Sequence, residues 1–278
     1  MDKTVRNKNL LYDRLGKNVC RGMSLLVAVI LTLILVFLFV KGIKHLTPSF
    51  FFSAPIDLGR SGGILPIILS TMLLAFVSLA IAIPLGVGTA VYLTEYTKQG
   101  YLTTIIRFGS ECLAGIPSII FGLFGFMLFV VHLRMGWSVL AGGLTLACMV
   151  LPTIIRTSEE AIKSVPANLR YLGYSLGATK FQTIIKIVLP QAKSGIITGI
   201  ILALGRVIGE TACVIFTAGI SMETPSSIFD SGRSMAVHFY ILAREGLSLE
   251  MAYTTALTLV ICILFVNVTA NFLIRKRT

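Results

Sequence analysis

Two charged side chains, Arg206 and Glu210, interrupt the otherwise uncharged stretch 194–219. In a helix, residues four apart share a face about one turn from each other. The guanidinium fork of arginine matches the oxygens of an oxyanion and stays charged when partly dehydrated. A nearby carboxylate would moderate the affinity, so that a bound anion can leave. The pair therefore indicates a helix face that lines a substrate path, if the substrate is an oxyanion, and the alternative is an ion pair that only locks helix packing.

The composition indicates the medium that surrounds this pair. The chain has 278 residues, of which 55% are hydrophobic and 13% are charged, and its mean hydropathy is +0.89. A soluble domain carries about 25% charged residues, so we predict an integral membrane protein rather than a soluble or disordered chain. A charge at mid-bilayer costs roughly 2.5–3.5 kcal/mol, so neither side chain should face lipid.

Six largely uncharged runs are long enough to span a hydrocarbon core. They are 23–40, 65–93, the stretch between Glu111 and Arg134, 135–155, 194–219 and 251–274. We predict an all-α membrane protein with six transmembrane helices, the first retained as an anchor. No convincing inverted repeat or broken helix is visible, so 194–219 is expected to be one helix. On it, Gly195, Gly199 and Leu202 share the side of the charged pair, and Gly205-x3-Gly209 is a close-packing pattern.

The distribution of basic residues predicts an orientation. With both termini inside, the inner segments hold 17 Lys and Arg and the outer segments hold 6, so both termini are predicted to be cytoplasmic. The formal charge of +12 then needs no nucleic-acid partner. The five cysteines and three histidines lack metal-ligand spacing, and no Gly-x4-Gly-Lys-Ser/Thr phosphate loop occurs. We expect neither an enzyme nor a metal site.

The long inner segment 156–193 has helix signals of its own. Thr157–Glu160 reads as a capping box, Pro166 is placed at a second helix start, and Gly177 is placed at a stop. A second capping box, Thr179–Gln182, leads into an apolar run that is expected to end at Pro190. These signals predict two short amphipathic helices. They either lie flat on the lipid surface or dock a cytoplasmic partner.

Other basic residues have plainer interpretations. We predict that Arg156 and Arg170 lie in the loop or at lipid headgroups, with Arg156 also able to meet an exiting anion. Arg134, Arg233 and His238 are expected on the solvated outer surface, where contact with a binding protein is the alternative.

The inner segment resembles the coupling loop of ABC importer permeases, which reads E-A-A-x3-G-x9-I-x-L-P. Gly177, Ile187, Leu189 and Pro190 stand at the matching positions, whereas the E-A-A positions are occupied by Tyr171, Leu172 and Gly173. In that family the loop forms the helix that sits in a groove of the ATPase subunit. The resemblance therefore implies ATPase contacts at Tyr171, Leu172, Gly173, Ser175, Gly177, Ala178 and Thr179.

Three further motifs are similar to those of phosphate-specific permeases, with the PstA type the nearest match. They lie at Gly115–Gly125, Leu151–Ala161 with Val165-Pro166, and Leu204–Ala212. The overall length and the short N-terminal portion favour PstA over the PstC type. The resemblance implies a type I ABC importer permease fold that forms half of the path for inorganic phosphate, with path residues Arg206, Glu210 and Thr211. It places the permease domain at 65–278, with the coupling loop at 157–193, after a segment 1–64 that holds the N-terminus, first span and outer loop.

The resemblance also implies partners. They are a homologous permease of the PstC type, two ATPase subunits of the PstB type that bind ATP and magnesium, and a periplasmic phosphate-binding protein of the PstS type. This chain itself would hold no cofactor and would lie in the bacterial inner membrane. Sulfate, molybdate or phosphonate are alternative substrates, although Thr211-Ala212 after Glu210 favours phosphate. A proton- or sodium-coupled carrier is the alternative from another class.

Overall fold

The computed structural model describes residues 3–97 and 100–275, and most of them are helical. The helices are α1 (Lys3–Gly42), α2 (Pro48–Phe52), α3 (Leu65–Val91), α4 (Tyr101–Gly115), α5 (Ser118–Gly125), α6 (Val139–Lys163), α7 (Ala167–Ser175), α8 (Lys180–Thr183), α9 (Leu189–Ile208), α10 (Ala212–Thr217), α11 (Met235–Arg244) and α12 (Leu249–Arg275). Wider π turns extend α3 to Tyr96 and α5 to His132, and another joins α8 to α9. The strands β1 (Pro55–Ile56) and β2 (Ser61–Gly62) pair antiparallel between α2 and α3.

Five helical stretches in the described ranges are long and apolar enough to cross a membrane. They are Leu15–His45, Leu65–Tyr96, Val139–Lys163, Lys180–Ile208 and Leu249–Thr269. A sixth crossing exists if Thr103–Gly115 and Ser118–His132, which meet at 103°, count as one broken span. The all-α membrane fold is confirmed. The break follows from Pro117, which holds Ile116 in an extended conformation (ψ 132°) and so ends the helix before it.

Helix α6 is the centre of the bundle, and α3 packs along it at close range. A Cβ on Gly143 would lie 2.5 Å from Val77 Cγ1, and one on Gly86 would lie 2.6 Å from Ile154 Cγ2. The main core forms around this contact with side chains from α5, α9 and α10. By contrast, every side chain of α1 from residue 15 to 41 is exposed except that of Leu38, which is intermediate. Helix α1 instead packs on α12, where Thr254 Oγ1 donates to the carbonyl of Gly42 at 3.1 Å.

The long inner segment differs from its predicted boundaries at both ends. Thr157–Glu160 does not start a helix, because α6 continues through it to Lys163. The Thr157 hydroxyl donates back to the Thr153 carbonyl at 2.8 Å, as a threonine inside a helix does. Pro190 does not end a helix either, since Lys180–Ile208 is continuous. The wide turn at 184–188 lies just before Pro190 and relieves the clash that a proline ring makes in a regular helix. The connection between α6 and α8 is therefore 164–179, which lies inside the predicted segment 157–193.

The signals inside that loop are confirmed. Pro166 directly precedes α7, and Gly177 follows it with φ +78°, a backbone region that glycine enters without strain. Thr179 and Gln182 form a reciprocal capping box at the start of α8, with hydrogen bonds of 3.3 and 3.0 Å.

Candidate functional site

The fifth predicted span is broken at its charged residues. Helix α9 ends at Ile208 and α10 begins at Ala212, so 194–219 is not one helix. The Glu210 carboxylate accepts hydrogen bonds through Oε1 from the backbone N–H groups of Thr211 (3.1 Å), Ala212 (3.1 Å) and Cys213 (3.5 Å). A carboxylate that satisfies the first N–H groups of a helix favours a new helix start over continuation of the preceding one. The shared helix face predicted for the pair is therefore wrong.

Arg206 lies in the last turn of α9, half-buried, and Glu210 does not pair with it. Among the described residues, no hydrogen-bond or ion-pair partner reaches the Arg206 guanidinium. The structural ion pair considered from the sequence is thus not formed. Glu210 has its negative charge satisfied by the α10 cap instead, and the charge of Arg206 remains available to another group.

The α9 surface beside Arg206 is open in the single chain. A Cβ on Gly205 would meet nothing within 4 Å, and one on Gly209 would approach only the Gly205 carbonyl, at 3.5 Å. Leu202 is 59% exposed. The close packing predicted for Gly205-x3-Gly209 is therefore absent from the described contacts. Gly195 and Gly199 do pack closely, against Ala161 and Thr157 of α6.

Thr211 lies half-buried in the break, and two of the predicted motifs meet beside it. A Cβ on Gly122 of α5 would lie 3.1 Å from the Ala212 carbonyl and 3.0 Å from Phe216 Cδ2. The Cys213 thiol donates to the Ser118 carbonyl at 3.0 Å. The segments 115–125 and 204–212 thus form one contact, with the broken α4–α5 pair lying against the broken α9–α10 pair.

The residues predicted to contact an ATPase lie on and around α7. Exposed positions are Tyr171, Leu172, Ser175, Gly177 and Thr179, and Ala178 is partly exposed. Gly173 is buried, because a Cβ there would lie 2.8 Å from Ile187 Cδ1 and 3.0 Å from Thr183 Oγ1. Its small size is what lets α7 pack on the start of the fifth span, so it supports the surface rather than forming it.

Two further exposed apolar side chains extend this surface and were not predicted. Leu176 is 79% exposed and Phe181 is 62% exposed, next to Tyr171 (66%) and Leu172 (56%) in the same loop. An apolar cluster of this kind indicates a protein or membrane contact. The helical spacing of Leu172 and Leu176 was visible in the sequence, where it predicted an amphipathic helix that lies on lipid or docks a partner.

Arg170 is not a loop or headgroup residue, because it is largely buried in an ion pair. Its Nε and Nη2 donate to Glu95 Oε1 at 3.0 and 2.7 Å, and the exposed fractions of the two side chains are 19% and 7%. Arg156 is exposed and pairs with Glu160 at 3.3 Å. Behind it, a cavity of about 230 Å³ is lined by Arg107, Lys163 and Glu159 among other groups. Glu159 pairs with both Arg107 and Lys163, and both N···O distances are 2.6 Å.

Arg233 and His238 are buried, contrary to the prediction of a solvated surface; Arg134 is exposed as predicted. Arg233 Nε donates to the Ile220 carbonyl at 2.8 Å, and its Nη1 lies 3.3 Å from His238 Nδ1. Burial, reinforced by the Arg233 charge, lowers the pKa of His238 from 6.5 to about 3. These residues hold the segment 220–234 onto α11. Sequence spacing gives no sign of this, since a histidine in a polar stretch normally lies at the surface.

No group of three or more His, Cys, Asp or Glu that could hold a metal ion occurs in the part of the chain that the structure describes.

The fold and this site define a class. Residues 82–278 match the family of binding-protein-dependent transport system inner membrane components, and the chain belongs to that family. It is therefore a multi-pass inner-membrane subunit of a transport system that works with a binding protein, and not an enzyme in its own right.

Proteins of similar sequence include an ABC transporter permease and phosphate transport permeases. A probable ABC transporter permease protein, YqgI of Bacillus subtilis, is 34% identical over 91% of this chain and 92% of its own length. The phosphate transport system permease protein PstA of Pasteurella multocida is 32% identical over 88% of each chain. PstA 1 of Mycobacterium tuberculosis is 35% identical over 76% of this chain and 70% of its own.

Solved structures share the fold. The bacterial alginate ABC transporter, solved with an alginate-bound periplasmic protein, has a chain that superposes with a TM-score of 0.68. That match has 17% identity and covers 99% of this chain and 96% of the other. The MetNI methionine ABC transporter gives a TM-score of 0.61 at 20% identity, over 78% and 94%. The chain thus has the fold of ABC importer permeases.

Proposed function

We propose that this chain is a membrane-spanning permease subunit of an ATP-driven phosphate importer and forms half of the path for inorganic phosphate. The observation that carries the proposal is Arg206. It is a guanidinium next to a helix break in a membrane-spanning bundle, on an open face and without a partner among the described residues. The names of its PstA relatives supply the substrate.

The site chemistry suits an anion that binds and leaves. The Arg206 fork offers parallel N–H donors to phosphate oxygens. Glu210, held by the N–H groups of α10, keeps a negative charge near that fork and limits the affinity. Thr211 lies in the same break and brings a hydroxyl to the path. The open α9 face with Gly205 and Gly209 leaves room for the substrate and for a second, homologous permease.

The partners in this proposal are those that the sequence resemblance implies. A PstC-type permease completes the path, a PstS-type protein delivers phosphate, and one of two PstB-type ATPases docks at the exposed apolar cluster around α7. ATP binding closes the ATPase pair, moves the coupling helices and opens the path outward. Both termini and α7 lie on the cytoplasmic side.

Uptake of labelled phosphate by the complex in proteoliposomes tests the path. Arg206→Gln is expected to lower uptake at least about tenfold, since it removes a charged hydrogen-bond donor from the substrate. Arg206→Lys keeps the charge without the fork and should lower uptake less. Glu210→Gln keeps an oxygen for the α10 cap but removes the charge, so release slows and the maximal rate falls. Arg60→Gln, at an exposed arginine paired with Asp57, is the control. Unchanged uptake in both Arg206→Gln and Glu210→Gln would contradict the proposal that these residues lie on the phosphate path.

Competition by unlabelled anions distinguishes the candidate substrates. Leaving out the ATPase subunit distinguishes an ATP-driven importer from an ion-coupled carrier. Unlabelled phosphate should block uptake of labelled phosphate, whereas sulfate, molybdate and phosphonate should not. Uptake should stop when the ATPase subunit is left out. Uptake that persists without it would instead indicate an ion-coupled carrier.

A further inference from the structure

Arg170 joins three separate parts of the bundle. Besides its two bonds to Glu95, its Nη1 donates to the Val165 carbonyl at 2.7 Å and its Nη2 donates to the Ile162 carbonyl at 3.0 Å. Glu95 belongs to the extended end of α3, Ile162 to the last turn of α6, and Arg170 to α7. One side chain therefore links α7 to the ends of both central helices.

The link depends on both the charge and the planar geometry of the Arg170 guanidinium. Glu95 is 7% exposed, so removing its cationic partner would leave a nearly buried carboxylate uncompensated. The guanidinium uses all three nitrogens at once, in a planar arrangement that a lysine ammonium cannot reproduce. Lys180, the first residue of α8, adds a separate contact with the end of α3, because its Nζ lies 5.1 Å from the centre of the Tyr96 ring.

The position of the link along α7 gives it a mechanical meaning. Arg170 immediately precedes Tyr171 and Leu172, whose side chains are exposed, so one side of α7 is anchored while the other is free. Through Gly173, α7 also packs on Ile187 in the turn that leads into α9. A force applied to the exposed side therefore reaches α9 through the Gly173 contact, and it reaches α3 and α6 through Arg170.

We propose that the Glu95–Arg170 pair is a positioning clamp that makes α7 move as one body with α3 and α6. It converts the movement of a docked ATPase into movement of the helices that form the path. This inference rests on the proposed function for its transport readout. The pair touches neither substrate nor nucleotide. Its loss is expected to uncouple ATP hydrolysis from transport rather than to abolish either docking or hydrolysis.

The first test is the ratio of phosphate imported to ATP hydrolysed by the reconstituted complex. Glu95→Gln and Arg170→Lys should each lower this ratio roughly fivefold or more, the lower range of energetic coupling between sites. Co-purification of the ATPase should stay at the wild-type level. The matched controls are Glu250→Gln, in an exposed pair with His45, and Arg60→Lys, in an exposed pair with Asp57. An unchanged ratio in both clamp variants, with the complex assembled, would overturn the proposal.

A second measurement reads the clamp without depending on the substrate. Spin labels are placed at Asn168 on α7 and at Tyr92 on α3, both exposed, after replacement of the five native cysteines by alanine. Their distance distribution should stay the same with and without trapped nucleotide in the otherwise wild-type chain. In Arg170→Lys it should broaden or shift when nucleotide is trapped. If the wild-type complex imports no phosphate, the proposed function is wrong. The distance between the two spin labels still tests whether the Glu95–Arg170 pair holds α7 to α3. Equal distributions in both chains would refute it.

Discussion

Glu210 has a role that its charge alone does not reveal. Three backbone N–H groups converge on one of its oxygens, so the side chain fixes where α9 stops and where α10 starts. Because this cap also satisfies the carboxylate, Arg206 has no ion-pair partner among the residues that the structure describes. The two charges thus stand four residues apart without forming an ion pair, which fits the anion contact that we propose for Arg206.

His238 makes the stability of the chain depend on pH. Its folded pKa of about 3 lies below the ordinary value of 6.5, because burial and the neighbouring Arg233 oppose protonation. The unfolded chain therefore binds more protons in that interval. The stabilisation is complete above about pH 6.5 and is lost as the pH falls toward 3. At about pH 5 the loss amounts to about 2 kcal/mol.

Thermal unfolding of the purified chain in detergent measures this effect. The wild type should melt at a lower temperature at about pH 5 than at about pH 7.5, and His238→Gln should reduce that difference. The exposed His132 supplies the control, since His132→Gln should leave the difference unchanged. An equal pH dependence in wild type and His238→Gln would show that other groups cause it.

At the scale of helices, the α3–α6 contact depends on glycines that allow close approach. Gly143→Ala would place a methyl group 2.5 Å from Val77 Cγ1, so the helices must separate, at a cost of roughly 1–3 kcal/mol. Gly88→Ala is the matched control in α3, because its Cβ would meet nothing within 4 Å. Alanine there should be neutral or stabilising by up to about 1 kcal/mol. Melting temperatures of the two variants give the comparison, and equal values would contradict the close-packing explanation.

Elements whose ends are set by residues a few positions away could be predicted from the sequence. The α7 boundaries and the α8 capping box were predictable, because Pro166, Gly177, Thr179 and Gln182 act on the backbone within a few residues. The continuation of the helix through Pro190 was not, since the wide turn that accommodates the proline leaves no simple sequence signal.

The charged pair was visible in the sequence, but the local geometry around it was not predictable. Arg206 and Glu210 stand out because charges are rare in an apolar run. The break between them involves hydrogen bonds from the backbone to the Glu210 side chain, which the spacing of charges does not reveal. The Glu95–Arg170 pair joins residues 75 positions apart, and only the fold brings them together.

At the scale of the whole molecule, the orientation remains a prediction from the basic residues. We expect Asn168 on α7 to face the cytoplasm and Ser61 in the hairpin to face the outside. Single-cysteine variants at these exposed positions, in a chain whose five native cysteines are replaced by alanine, can be treated in intact cells with a membrane-impermeant maleimide. Ser61→Cys should be labelled at once, and Asn168→Cys only after the cells are opened. The reverse pattern would invert the orientation.

The pairing of α1 with α12 affects how the chain assembles during synthesis. Phe37 and Tyr253 meet edge to face with ring centres 5.6 Å apart, so α1 packs on a helix that is translated much later in the chain. Until α12 is translated, α1 lacks the helix on which it packs in the folded chain. A nascent chain that stalls before α12 would therefore hold the α3–α6 contact but leave α1 unattached.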